Sequence, residues 1–196
     1  VFKMQDWELH RKIWNWELHR PKYCKFLLLG PYRLRKGQGD LDYHYHDCDE
    51  YIIVTEGKLL FLLEGKKYEV NSGDCLCVPI GGKHQLTKVL EDMTVVWIYD
   101  ELKGEKRKWH IPVTGGEKEV PGIKIVGWGR WRKEKPVWSR LNDLGISYFP
   151  KGKIKMNYHR HDCHEYYFLT KGSLSINVEG KEYKMEEDDF CAIKKG

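Results

Sequence analysis

Hydrophobic and polar positions along the chain fall into short runs that are typical of β-strands. Tyr51 to Thr55, Lys58 to Leu63 and Lys67 to Val70 are rich in β-branched, aromatic and aliphatic residues. Two turn signals, Glu56-Gly57 and Glu64-Gly65, separate these runs. The pattern therefore predicts short antiparallel hairpins.

Two more strands are predicted at Gln85 to Leu90 and at Met93 to Tyr99. Helical periodicity is weak elsewhere, and only Gln5 to Arg20 leaves a choice between a helix and an extended arm. The segment from Leu102 to Gly122 carries Lys, Glu, Gly and Pro without a clear pattern, which is typical of a linker or long connection. We therefore predict an all-β chain with a boundary near this segment.

The chain repeats itself at a constant offset of 115 residues. The run from Tyr43 to Tyr51, YHYHDCDEY, recurs from Tyr158 to Tyr166 as YHRHDCHEY. The correspondence continues without gaps over residues 16–81 and 131–196. Since a fixed period indicates repeated structural units, we predict two copies of one module, in residues 1–115 and 116–196.

Composition and charge limit the classes of protein that fit. Apolar residues make up 41% of the 196 residues and aromatic residues 13%, which excludes a disordered or collagen-like chain. The longest apolar runs are far shorter than the roughly 20 residues of a membrane helix, and no secretory leader is visible, so we expect a cytoplasmic protein. The net charge of +5 comes from scattered basic residues and does not indicate nucleic acid. The six cysteines show no C-x-x-C spacing, so we expect reduced thiols, with Cys75 and Cys77 buried on one face of a strand.

A cluster of histidine and glutamate positions indicates a metal site. His44 and His46 lie two residues apart in an extended segment, so their side chains share a face about 6.6 Å apart and can reach one ion. Glu50 opens the next strand and can return a carboxylate to the same place, and His84 follows a turn rich in glycine and proline. Three neutral imidazoles and one carboxylate suit Mn, Fe, Co, Ni, Cu or Zn and disfavour Ca or Mg.

These residues lie in two motifs, His44-x-His46-x3-Glu50-x6-Gly57 and Gly73-x5-Pro79-x-Gly81-x2-His84. The motifs resemble the two signature motifs of the cupin superfamily, and their duplication makes the chain similar to a bicupin. The resemblance implies an all-β fold of two double-stranded β-helix modules, or jelly-roll barrels, in tandem. It also implies that the three histidines and the glutamate are the metal ligands.

The second copy carries His159, His161 and Glu165 at the matching positions. They form a set of two histidines and one carboxylate, and we expect a second metal site there. The counterpart of His84 would fall at position 199, whereas the given sequence ends at 196. We therefore expect the second module to be incomplete at its C-terminus.

Three aromatic residues of the first module are predicted to contact a substrate, with core packing as the equal alternative: Tyr32, Tyr51 and Trp97. Asp47 and Cys48 are interpreted as turn residues that orient the metal ligands. His10, His19 and His110 belong to no cluster in the sequence and are interpreted as surface residues.

The stretch from Trp128 to Trp138 interleaves aromatic and basic residues, a combination that single-stranded nucleic acid can use. Its counterpart in the first copy, Ile13 to Tyr23, is also rich in tryptophan. This correspondence favours a structural arm that packs against the barrel or a neighbouring subunit. Such arms, together with unpaired sheet edges, predict a homodimer.

A metal ion in a small barrel can polarise a substrate oxygen, bind dioxygen or activate water. Similar cupins include dioxygenases, decarboxylases, sugar isomerases and epimerases, and storage or sensory domains without enzymatic activity. We predict a metal-dependent enzyme, of oxygenase or isomerase type, that acts on a small oxygenated organic or sugar-like substrate. The alternative is a metal-dependent module that binds or senses a small-molecule ligand without turnover, and a purely structural role is the third hypothesis.

Overall fold

The computed structural model describes residues 2–3, 23–152, 156–178, 180–193 and 195. The helix or arm predicted at Gln5 to Arg20 lies outside these residues. One compact unit spans Lys25–Gly145, and the other contains the residues from Ile146 onward together with the N-terminal residues up to Cys24. In the ranges described, no helix combines the length and hydrophobicity that crossing a bilayer requires.

β-strands are the main regular secondary structure of the described residues. In chain order the strands are β1 (Phe2–Lys3), β2 (Leu28–Leu34), β3 (His44–Tyr45), β4 (Glu50–Leu63), β5 (Lys66–Asn71), β6 (Asp74–Val78), β7 (His84–Tyr99), β8 (Ile111–Pro112), β9 (Lys124–Gly127), β10 (Glu165–Phe168), β11 (Ser173–Val178), β12 (Lys181–Glu186) and β13 (Asp189–Ile193). The helical elements among the described residues are a 3₁₀ turn at Trp128–Arg130 and the four-residue helix α1 (Trp131–Glu134).

Two long strands, β4 and β7, form the centre of the unit Lys25–Gly145. They pair with each other in an antiparallel sheet of order β8-β3-β7-β4-β6-β9, to which β2 adds on β7 and β5 on β4. The first half of β4 pairs with β6 and its second half with β5. Alternate residues of β4, Leu59, Phe61 and Leu63, are buried, as the period of two in a strand requires. Full burial of such side chains contributes about 1.5–3 kcal/mol each.

The turn predicted at Glu56-Gly57 is wrong, because β4 continues through these residues from Glu50 to Leu63. Its register against β7 shifts between Val54 and Lys58, which marks β-bulges. Gly57 has a φ of 81°, and a Cβ there would lie 2.3 Å from the carbonyl oxygen of Asp92. The glycine therefore permits a bend and a close approach without ending the strand.

The other boundaries of the predicted strands are also informative. The two strands predicted between Gln85 and Tyr99 form the single strand β7. The hairpin predicted at Glu64-Gly65 is confirmed, since Leu63 pairs with Lys66 across it. The full length of β4 was missed because the residues at its bulges, Glu56 and Gly57, resemble a turn in the sequence.

The unit that contains Ile146–Gly196 has the strand registers of the first unit at an offset of 115. Glu165 pairs with Ile193 as Glu50 pairs with Val78. All six residue pairs between β11 and β12 likewise match those between β4 and β5. The sequence repeat thus extends to the pairing of the strands.

A side-chain hydrogen bond is repeated as well. Asp74 Oδ2 accepts a hydrogen bond from the backbone nitrogen of Asn71 at 3.1 Å. Asp189 Oδ2 accepts one from the backbone nitrogen of Glu186 at 2.8 Å. In both units the aspartate closes the turn that joins two successive strands, because its short carboxylate reaches backbone three residues away.

The segment rich in tryptophan packs against β4. Trp131, on α1, is 1% exposed, and its ring centroid lies 6.3 Å from that of Tyr51. The Tyr51 hydroxyl donates a hydrogen bond to Ser139 Oγ at 3.0 Å, and Trp138 lies 5.7 Å from the Tyr51 ring. These contacts agree with a structural arm. The counterpart segment, Ile13 to Tyr23, lies almost entirely outside the described residues.

The cysteines are free thiols. Cys75 and Cys77 are buried on β6 with their sulfur atoms 3.7 Å apart. Their common face and burial confirm the prediction of two small core side chains on one side of a strand.

Candidate metal centre

Three strands of the first unit bring four potential ligands together. His44 lies on β3, His46 directly follows it, Glu50 begins β4 and His84 begins β7. His44 and His84 are partners in the antiparallel register, so residues 40 positions apart become neighbours. All four side chains are buried.

The distances within this cluster are short. The ring centroids of His44, His46 and His84 lie 4.4 to 5.0 Å from one another. Glu50 Oε2 lies 2.8 Å from His84 Nε2 and 3.5 Å from His46 Nε2. The sequence-predicted ligands of the first module thus lie in one place.

A backbone carbonyl orients each of the three imidazoles. His44 Nδ1 lies 2.7 Å from the carbonyl oxygen of Asp42, and His84 Nδ1 lies 3.0 Å from that of Gly82. His46 Nδ1 contacts the carbonyl oxygen of Trp109. Since histidine ligands usually donate their second ring nitrogen to such a group, the arrangement leaves Nε2 for an ion.

Buried atoms without hydrogen-bond partners provide the test of whether a metal fits. His46 Nε2, His84 Nε2 and Glu50 Oε2 are buried and make no hydrogen bond. Glu50 Oε2 and His84 Nε2 lie 2.8 Å apart, and their contact is one of charge rather than a directed hydrogen bond. Buried polar atoms are costly unless partnered, so these atoms and this donor set fit a divalent transition metal.

The electrostatics of the cluster affect which protonation states its side chains adopt. Burial raises the pKa of Glu50, but His84 and His46 together outweigh it and hold that pKa well below its usual range. Burial and the neighbouring His84 lower the pKa of His44 to about 4. Burial also opposes the charged form of His84, yet Glu50 raises its pKa overall. The cluster therefore offers an ionised carboxylate and a neutral His44 ring at neutral pH, as metal binding requires.

The three aromatic residues predicted to contact a substrate occupy different places. Trp97 donates a hydrogen bond from Nε1 to Glu50 Oε1, so it supports a ligand directly. Tyr32 lies against Trp97, with ring centroids 5.8 Å apart. Tyr51 points to the opposite side of β4 from Glu50, because neighbouring residues of a strand face opposite ways, and there it contacts Ser139.

Tyr99 is a residue of the centre that the sequence did not identify. Its ring centroid lies 4.8 Å from that of His46. Burial, together with the negative charge of Glu50, holds the pKa of Tyr99 well above its usual range, so the phenol keeps its proton. Tyr99 appeared in the sequence only as the last residue of a predicted strand.

His110 also belongs to this region, although the sequence indicated a surface residue. Its ring stacks on that of His44 with centroids 4.2 Å apart. His110 Nε2 lies 3.0 Å from Asp42 Oδ2. No pattern in the surrounding segment signals this role, because the segment has neither strand periodicity nor a ligand motif.

The predicted linker contains a short segment, residues 103–113, that we call the strap. It runs across residues 44–50, the first part of the first signature motif, which we call the ligand motif. The carbonyl oxygen of Asp47 accepts hydrogen bonds from the backbone nitrogens of Lys103 and Gly104 at 2.7 and 3.1 Å. Asp47 Oδ2 accepts one from the backbone nitrogen of Lys108 at 3.1 Å. Within the strap, β8 pairs with β3. Asp47 therefore acts on the ligands through the strap, which carries the Trp109 carbonyl and His110.

The second cluster has the same local geometry but is open to solvent. The rings of His159 and His161 lie 4.8 Å apart, as do those of His44 and His46. His161 Nε2 lies 3.6 Å from Glu165 Oε1, with the two side chains 46% and 28% exposed. A set of two histidines and one carboxylate is therefore present, without the burial of the first.

Comparison with known proteins supports the cupin superfamily. Residues 32–99, which include the four candidate ligands, match the model of the Cupin domain family. The chain is 36% identical over 72 residues to the uncharacterised protein y4oW of Sinorhizobium fredii (strain NBRC 101917 / NGR234). That match covers 37% of this chain, and the chain spans only 33% of the length of this relative.

Of two similar solved structures, one has a TM-score above 0.5. The crystal structure of protein Ylba from E. coli aligns with a TM-score of 0.56 at 14% identity, over 88% of this chain and 70% of that one. Oxalate decarboxylase of Bacillus subtilis, described with Mn(II) centres, aligns with a TM-score of 0.48 at 14% identity, over 84% and 62% of the two chains. At such identity the first likeness concerns the fold alone.

Proposed function

We propose that the chain is a bicupin metalloprotein whose first module holds a divalent transition metal. The ligands would be His44, His46, Glu50 and His84. The observation that carries this proposal is the set of three buried atoms, two imidazole nitrogens and one carboxylate oxygen, that make no hydrogen bond. The donors suit Mn, Fe, Co, Ni, Cu or Zn.

The repeated architecture supports the bicupin part of the proposal. Strand registers, the turn-closing aspartates and the spacing of the first two histidines all agree at an offset of 115. The same types of turn residue recur at this offset in both copies, and this supports two modules with one fold. We expect the second cluster to bind metal more weakly, because its side chains are exposed.

We further propose that the first module is an enzyme for a small oxygenated organic or sugar-like substrate, of oxygenase or isomerase type. The metal would supply Lewis acidity or a binding position for an oxygen atom. Trp97 holds Glu50 in place, and the backbone carbonyls fix the imidazole rings. Tyr99, which keeps its proton beside His46, can donate a hydrogen bond or a proton to a molecule bound there.

The second candidate is a metal-dependent module that binds or senses a small ligand without turnover. Trp97 and Tyr99, the polar side chains beside Glu50, both carry protons at neutral pH, and this observation favours it. Proton donors orient a ligand, whereas turnover by proton abstraction also needs a base. The homodimer, the cytoplasmic location and the lack of a nucleic-acid partner stay predictions of the sequence.

Elemental analysis of the purified protein tests metal binding at the first module. We expect His46→Ala to lose more than half of the bound metal, whereas Trp128→Phe, a change at an exposed ring, keeps it. Loss of less than half would contradict the assignment. Incubation of metal-loaded protein with sugars and hydroxy acids, followed by NMR and by dioxygen uptake, then separates the candidates. A metal-dependent product supports the enzyme, and binding without change supports the second candidate.

A further inference from the structure

We propose that His110 is an additional protein ligand of the metal centre in the first module and that the Asp42 carboxylate positions it. This inference rests on the proposed metal binding by that module. It adds to the four ligands of the cupin motifs a residue that lies in neither motif and is supplied by the strap.

The position of His110 supports a ligand role. One ring nitrogen from each of His44, His46 and His110 lies within 4.8 Å of the other two. Two nitrogens bound to one ion at about 2.1 Å each are at most about 4.2 Å apart. Three nitrogens on one octahedral ion are closer together, about 3 Å apart where they are neighbours, so side-chain shifts of about 1 Å each allow the three rings to share an ion.

His110, like the other three histidines, has one ring nitrogen beside a hydrogen-bond acceptor. Each of those rings places one nitrogen on a backbone carbonyl, and His110 places Nε2 on the Asp42 carboxylate at 3.0 Å. A carboxylate in this position is a usual partner of a metal-bound histidine, because it fixes the ring and makes its other nitrogen a better donor. For His110 that other nitrogen is Nδ1.

Asp42 serves two rings at once. Its carbonyl oxygen lies 2.7 Å from His44 Nδ1, and its carboxylate lies 3.0 Å from His110 Nε2. The position 115 residues later is Asn157, whose carbonyl oxygen lies 2.7 Å from His159 Nδ1. In both modules the backbone carbonyl of this position contacts Nδ1 of the first motif histidine. Only the first module has a carboxylate at this position.

The strap holds His110 beside the centre. Immediately after it, Ile111 and Pro112 pair with Tyr45 and His44, and the backbone nitrogen of Val113 donates to the carbonyl oxygen of Tyr43 at 2.9 Å. Immediately before it, the carbonyl of Trp109 contacts His46. The backbone on both sides of His110 is therefore fixed to the ligand motif itself.

The ligand count limits the substrate. Around an octahedral ion, four protein ligands leave two positions and permit a substrate that chelates through two oxygens. Five protein ligands leave one position, so a substrate or dioxygen binds through a single atom. We therefore expect ligands that bind through one oxygen at the first module.

The test uses Co(II) and Cu(II) as probes, in full-length protein that also carries His161→Ala to disable the exposed cluster. Competition with a metal-sensitive dye gives the Co(II) affinity, and pulsed EPR of the Cu(II) form counts bound imidazoles. We expect His110→Gln to weaken Co(II) binding 10- to 100-fold and to remove one imidazole from the count. Trp128→Phe, a change at a ring that is 42% exposed, is the control, and we expect it to behave as wild type.

Asp42→Asn provides a second variant that keeps the backbone carbonyl for His44. We expect about tenfold weaker Co(II) binding, as for the loss of a group that orients a ligand. If His46→Ala loses Co(II) while His110→Gln and Asp42→Asn retain the wild-type affinity and imidazole count, the ligand role of His110 is overturned and the proposed function stands. If the parent protein itself takes up no Co(II), the proposed function fails, and this inference fails with it.

Discussion

Trp97 donates a hydrogen bond from its indole nitrogen to Glu50 Oε1, with the two atoms 2.5 Å apart. The other carboxylate oxygen, Oε2, faces His84 and His46. Trp97 therefore determines which oxygen of Glu50 is directed to the proposed metal. It does so from β7, the strand that also begins with His84.

Trp97→Phe should weaken metal binding about 10- to 100-fold. An aromatic ring is kept at this position, but the hydrogen bond from the indole nitrogen that holds Glu50 is lost. Competition titration with Co(II) measures the change. Trp128→Phe is the control, since its ring is 42% exposed and it lies on the 3₁₀ turn after β9. Equal Co(II) affinities of Trp97→Phe and wild type would contradict the positioning role.

Gly104→Ala should disturb the strap. A Cβ at Gly104 would lie 1.8 Å from Asp47 Oδ1, and Asp47 is itself held by the backbone of Lys108. We expect a loss of about 1–3 kcal/mol in the free energy of unfolding, with weaker metal binding because Trp109 and His110 move with the strap. Chemical denaturation measures the first effect. Gly129→Ala, where a Cβ meets nothing within 4 Å, should stay within about 0.5 kcal/mol of wild type.

Gly57→Ala should cost more stability than Gly172→Ala, although the two glycines are equivalent in the repeat. Both have a positive φ, 81° and 88°, and each alanine therefore costs about 1–2 kcal/mol of backbone strain. Only at Gly57 does a Cβ also meet backbone, 2.3 Å from the Asp92 carbonyl oxygen, whereas nothing lies within 4 Å at Gly172. Denaturation curves that show equal losses would mean that β7 yields to the new methyl group.

The carboxylate of Glu117 should titrate at unusually low pH. Backbone and side-chain hydrogen bonds from Thr114 and Gly115 lower its pKa from 4.5 to about 2. Since the folded-state pKa is the lower one, the stabilisation is complete above about pH 4.5 and is lost as the pH falls toward 2. NMR shifts of the Thr114 and Gly115 amides should follow an apparent pKa near 2. A midpoint near 4.5 would show that these hydrogen bonds do not form.

A variant of the same residue provides the control for this low-pH experiment. Glu117→Gln removes the charge but keeps an oxygen that can accept hydrogen bonds. In this variant the two amide shifts should not change between pH 5 and pH 2. Any remaining titration would have to come from another carboxyl group near the turn.

Much of the side-chain cluster proposed to bind metal was predictable because its geometry is local. Alternation in an extended chain places His44 and His46 on one face, and Glu50 follows after a short turn. The repeat was equally visible, since turn glycines and strand residues recur at one offset. The Glu56-Gly57 turn failed because a glycine with positive φ serves a bulge as well as a turn, and only the partner strand decides between them.

The sequence by itself determined the β-rich pattern, the duplicated motif and the chemical types of the first four ligands, because each depends on residues close together in the chain. The tertiary structure decided that β4 and β7 are continuous and that the strap runs across the ligand motif. It also placed His110 on His44 and the Trp109 carbonyl on His46. These two contacts join residues more than 60 positions apart. The strap that brings them together is held by backbone hydrogen bonds, which any residue type can form, so its course leaves no signature in the order of amino acids.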